Sequence, residues 1–133
     1  IRCMLRMVNE LERMADIFYQ MTLSHERMKE EKINMTDEAK AELKEMFDLI
    51  YHAVKLMRKY LAKSHDDVRI EEGYELEKSI NDMRNKLHVM HYERIENSTY
   101  SLQEGLVFLD LVSSMEKIGD HIVNVNEAIV GEK

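Results

Sequence analysis

Apolar residues recur along this chain at alternating steps of three and four, the spacing that gathers them on one face of an α-helix. In the first segment the stripe is Met4, Met7, Leu11, Met14, Phe18, Met21, His25 and Met28, and it runs out in the charged stretch from Glu26 to Lys32. Thr36 stands just before Asp37 and Glu38, which predicts an N-cap and the acidic first turn of a second helix. That helix carries Leu43, Met46, Phe47, Ile50, Val54, Met57 and Leu61 on one face. Its Lys55, Arg58, Lys59 and Lys63 gather toward the C-terminal end, where the helix dipole favours positive charge. Ser64 to Asp67 form the next break, with Ser64 or Asp66 as caps. A third helix, from about Val68 to Asn97, presents Leu76, Ile80, Met83, Leu87 and Met90. Ser98 or Thr99 then caps a fourth helix that reaches about Val130 and stops at Gly131. Its apolar face is Phe108, Leu111, Val112, Met115, Ile118, Ile122, Val125 and Ile129.

Breaks this short join antiparallel neighbours, so the expected fold is all-α: an antiparallel up-down four-helix bundle filling residues 1–133 as a single domain. Four stripes can cover one another, whereas three would leave the fourth exposed. The absence of proline and the presence of only 4 glycines suit long unbroken helices. With 44% hydrophobic and 34% charged residues the chain is too apolar for disorder and too charged for a membrane span. Lys and Arg total 19 against 26 Asp and Glu, a net charge of −7, which argues against a nucleic-acid partner. Cys3 is the one cysteine, so an internal disulfide and a multi-cysteine zinc site are excluded. The chain opens Ile1-Arg2-Cys3-Met4 already in helical register, without an initiator Met or a signal-peptide pattern, and reads as a piece of a longer protein.

One pattern occurs twice. Leu11-Glu12-Arg13-Met14-Ala15-Asp16 and Met115-Glu116-Lys117-Ile118-Gly119-Asp120 both read apolar, acid, base, apolar, small, Asp. Continuing by four reaches Gln20 in the first helix and Asn124 in the last, with Glu127 beyond it. Side chains four apart stack on one helix face, so each set forms a ladder of oxygen-bearing groups. Glu77, Asn81 and Asn85 make a weaker third copy. At roughly 100° per residue the two strong ladders lie on the order of 160° from their own apolar stripes, which points them outward. Outward carboxylates do not build the buried Glu-x-x-His di-iron centre of a helical oxidase, and none of the six histidines has an acid three residues before it. Two readings remain: a solvated acidic face, or a surface site for hard cations or ferric iron bridged by carboxylate and amide oxygens. Ala15 and Gly119, each just before the Asp, would let a ligand or a neighbouring helix approach the backbone.

Other chemistry is sparse. His88 and His91 are spaced to chelate a metal or simply to flank a helix, and no carboxylate completes a set within that turn. The 11 methionines fall mostly on the stripes, where thioethers fill irregular cores. No glycine-rich phosphate loop, nucleophile elbow or catalytic triad spacing occurs.

The stretch Met115-Glu116-Lys117-Ile118-Gly119-Asp120-His121-Ile122-Val123-Asn124-Val125-Asn126-Glu127 resembles the motif helix of the PhoU family, and Leu11 to Asp16 resembles the same motif from a preceding half. With Ser79 to Arg94 and Gly105 to Val112, the chain is similar to the C-terminal PhoU-like domain of bacterial sodium/phosphate cotransporters. The resemblance spans all four helices and is most specific in the last two. It implies an all-α, non-enzymatic regulator of phosphate uptake built from three-helix repeats. Such a domain lies on the cytoplasmic side of the bacterial inner membrane, behind the membrane-spanning sodium/phosphate region of the same polypeptide. Apart from the resemblance, exposed bundle faces make a homodimer an expected assembly. Family members bind multinuclear iron or zinc, which would place Glu12, Asp16, Glu116, Asp120 and Asn124 at metal positions, with Glu77, Asn81, Gln20 and Glu127 in support. Gln20 and Asn124 depart from the pattern, standing where stronger metal binders carry carboxylates. The alternative is a helical scaffold or dimerisation module that binds no metal.

Overall fold

Four helices form where the periodicity places them: α1 (Arg2–Glu30), α2 (Asp37–Ala62), α3 (Glu71–Glu96) and α4 (Leu102–Ile129). They are seen in a computed structural model that describes residues 2–63 and 68–131. Thr36 caps α2 as expected, its hydroxyl accepting from the Ala39 N–H at 3.2 Å. The caps expected at Ser64 and Asp66 lie outside the described residues.

The start of α4 differs from expectation. Ser98 takes a left-handed φ of 51°, and the Thr99 N–H closes back onto the Arg94 carbonyl at 2.9 Å. Ser98 therefore terminates α3 rather than capping α4. Ser101 does the capping, accepting from the Glu104 N–H at 3.1 Å. The same device ends α1, where Lys32 has φ 54° and the Ile33 N–H reaches the Met28 carbonyl at 2.9 Å. At Gly131 the expected stop is found, with φ 78°.

The core is drawn unequally from the four stripes. α4 packs against each of the other helices, α2 and α3 pack against each other, and α1 seats chiefly on α4. Met46, Ile50 and Met57 of α2, Ile80, Met83 and Leu87 of α3, and Val112, Met115, Ile118, Ile122 and Val125 of α4 are buried together. From α1 only Met14 is fully buried, while Met7, Leu11, Phe18, Met21 and Met28 pack partly against the core and Met4 remains 65% exposed. The bundle is thus a closed three-helix unit with α1 laid along its last helix. Between α1 and α2 an open apolar groove of about 670 Å³ remains, walled by Phe18, Met21, Leu43 and Phe47 over Leu111 and Met115. Phe47 stays exposed for that reason.

The closed unit also holds buried polar groups that the stripes did not announce. Arg94 donates to Glu42 at 2.5 Å between α3 and α2, and the Thr36 N–H donates to Glu104 at 2.8 Å. His91, 5% exposed, lies flat against the Phe108 ring, 4° from parallel. Its Nδ1 hydrogen-bonds the Tyr100 hydroxyl. His91 is therefore a satisfied core residue and does not form a chelating pair with His88.

Candidate functional site

The ladder residues Glu116, Asp120, Asn124 and Glu127 rise along α4 one turn apart, on the border between its seam with α3 and its seam with α1. On the α3 side, Arg84 Nη1 donates to Glu116 Oε1 at 3.0 Å. Glu77 of α3 faces the next turns of α4. Loss of hydration raises its pKa above the ordinary carboxylate value, and the negative charges of Glu127 and Asp120 add to the effect. Asp120 is exposed, yet partial desolvation raises its pKa too, with Glu116 adding and Arg84 and His121 opposing. The Tyr74 hydroxyl donates to Glu127 at 3.1 Å.

Close helix approach holds this seam together. Gly119 is buried, and a Cβ there would stand 3.3 Å from Ile80 Cγ2 and 3.7 Å from Ile50 Cδ1. Its missing side chain makes room for a neighbouring helix, the second of the two roles expected for it. Behind the acids, Glu77, Asn81, Asp120 and Asn126 line a cavity of about 10 Å³, the size of a single water. Asn126 is 3% exposed, and its Oδ1 has no protein hydrogen-bond partner.

On the α1 side, Glu10 receives both the Asn124 amide at 3.3 Å and a hydrogen bond with His121 Nδ1. Arg6 lies 3.9 Å from Glu127, and Ser24 donates to Asp110 at 3.1 Å. The order of these partners makes α1 and α4 antiparallel. The two helices that carry the repeated motif thus lie against each other.

These contacts correct the expectation for α4. Its ladder is not a free outer wall, because Glu116 is held by Arg84 and Asn124 by Glu10. The α1 ladder does face water: Glu12, Asp16 and Gln20 are all exposed. Glu10, and not Glu12, points at α4, since two residues along a helix turn the side chain by roughly 200°. The two strong ladders therefore occupy different walls, while the weak copy, Glu77 and Asn81, is the one that meets α4. Among the described residues no group of three or more His, Cys, Asp or Glu is placed to hold a metal ion. This donor set does not fit a multinuclear iron or zinc centre. The residues that sequence reasoning missed are Arg84, Glu10 and Asn126. Arg84 had a visible signal, a base at the end of the Glu77–Asn81–Asn85 ladder.

Residues 43–129, well over half of the chain, match the PhoU domain family. Over 126 residues the chain is 27% identical to the phosphate-specific transport system accessory protein PhoU homolog 1 of Thermotoga maritima, an overlap covering 95% of this chain and 53% of that protein. The chain therefore spans about half the length of this curated relative. No solved structure matches. The matched stretch runs from within α2 to the last residue of α4, the closed unit that carries the Glu77–Asp120 seam, and on this ground the chain belongs to the PhoU domain family.

Proposed function

We propose that this chain is a regulatory, non-enzymatic domain of phosphate transport, working on the cytoplasmic side of a sodium-dependent phosphate transporter whose membrane-spanning region belongs to the same polypeptide. Family membership supports the regulatory role, and the likeness of α3 and α4 to the cotransporter domain supports the setting. No helix among the described residues is long and apolar enough to cross a membrane. The observation that carries the reading is the motif acid Asp120. Its pKa is raised by partial loss of hydration and by Glu116, against Arg84 and His121, and that of Glu77 beside it is raised as well; acids perturbed in this way gather at functional sites. The scaffold alternative gives no role to two acids set side by side on this seam.

The test is phosphate uptake by cells making the full-length transporter with Asp120→Asn or, separately, Asp16→Asn. Both positions are exposed and Asn preserves the side-chain shape, so the fold is expected to tolerate it. We expect Asp120→Asn to change uptake by about fivefold, the lower range of ordinary regulatory coupling. Uptake unchanged in both variants would return the domain to the scaffold reading.

A further inference from the structure

The resemblance implies a metal beside the acids of α4, yet the α3–α4 seam already contains a cation of its own. Arg84 Nη1 meets Glu116 at 3.0 Å with both side chains about three-quarters shielded. Its Nε donates to Asn85 at 3.2 Å, which fixes the plane of the guanidinium. The same charge acts on Asp120, one turn further along α4. At the other end of the ladder Arg6 lies near Glu127. Positions 81 and 124 carry neutral amides, which lowers the negative charge that needs balancing. A divalent ion entering between Glu116 and Asp120 would have to displace a charge-assisted hydrogen bond that is already made.

We propose that Arg84 takes the electrostatic place of a metal ion on this face: it is the built-in counter-ion that lets α3 and α4 close on Glu116 and Asp120 without a bound cation. The guanidinium supplies what a metal would supply there, positive charge and directed contacts to carboxylate oxygen, and the protein is stable without iron, zinc or manganese. This inference does not rest on the transport reading, and its readout on the purified chain involves no transport.

The experiment compares the wild-type chain, Arg84→Gln and Arg84→Lys in EDTA, in Mn²⁺ and in Zn²⁺, reading the thermal midpoint and, by equilibrium dialysis, the ions bound. Wild type and Arg84→Lys should bind neither ion stoichiometrically, and their midpoints should move by less than about 1 °C, as expected when no ligand prefers the native state. Arg84→Gln should melt lower in EDTA and recover part of the loss with at least one of the ions. If Arg84→Gln is unfolded in EDTA, return of its helical signal on adding either ion supports the proposal and failure to return overturns it. A folded Arg84→Gln indifferent to both ions overturns it as well. So does a wild type or Arg84→Lys that binds an ion stoichiometrically and melts several degrees higher.

Discussion

The pair formed by Glu42 and Arg94 permits the sharpest test of how the closed three-helix unit is held. The two side chains are each 11% exposed and meet at 2.5 Å. Glu42 Oε1 and Arg94 Nη1 are buried without a further hydrogen-bond partner. The guanidinium also lies over Phe108, with 5.5 Å from its carbon to the ring centre. Removing one member of such a pair strands the other charge away from water, which costs about 3–5 kcal/mol, whereas an exposed ion pair contributes at most about 1 kcal/mol. Arg94→Met should therefore lower stability by roughly 4 kcal/mol, a large share of the about 5–15 kcal/mol that holds a typical domain. The double variant Glu42→Met/Arg94→Met leaves no stranded charge. Because the native pair itself leaves two polar atoms unsatisfied, the double variant should fall within about 1 kcal/mol of wild type or exceed it. Urea unfolding followed by helical circular dichroism measures all four corners of the cycle, provided the slope with denaturant is unchanged. A coupling energy below about 1 kcal/mol would show that the pair behaves as if exposed, and would refute the buried polar account of this end of the bundle.

Two further outcomes follow from particular side chains. Burial lowers the His91 pKa, with the neighbouring charges of His88 and Arg94 acting in the same direction. A base depressed in the folded state contributes stability that is present above its unfolded pKa of about 6.5 and is lost as pH falls through the lower folded value. Thermal melts from neutral to mildly acidic pH should thus show wild type losing more stability than His91→Gln, and parallel curves would contradict the assignment. At position 119, Val adds branches where even a Cβ stands 3.3 Å from Ile80, so Gly119→Val should cost about 1–3 kcal/mol through overpacking. Gly119→Ala should come out near neutral, because its gain in helix propensity of about 1 kcal/mol offsets the squeeze. A neutral valine variant, measured by thermal unfolding, would mean that α3 and α4 are not closely apposed there.

The unequal roles of the helices bear on how the repeated motif is used. In α4 the motif face is shared between two neighbours, α3 through Arg84 and α1 through Glu10. In α1 the equivalent acids meet water, and the family match begins after α1, inside α2. The same spacing therefore sits in two electrostatic settings within one chain. Asp120 and Asp16 are both exposed, but Asp120 borders α3 and interacts with Glu116 and Arg84. Substituting the two positions separately in the uptake experiment reads these settings apart.

Within each helix, the amino-acid order alone settled most of what is observed. The three-four recurrence of apolar side chains depends only on the pitch of an α-helix, so α1 to α4 and the buried faces of α3 and α4 were legible, whereas on α2 the expected Phe47 and Leu61 are exposed and Leu56 and Tyr60 are buried instead. Thr36 and Gly131 were legible too, because a cap or a left-handed stop is a property of a few consecutive residues. Ser98 shows where this local reading ends: a serine beside a break suits either the end of one helix or the start of the next, and the backbone chose the end. Contacts between helices were decided by tertiary structure alone. Arg84 finds Glu116, Glu10 finds Asn124, and Arg94 finds Glu42 only after packing has set the register and rotation of one helix against another. That register follows from close fits such as Ile80 against Gly119, which periodicity along a single helix does not encode.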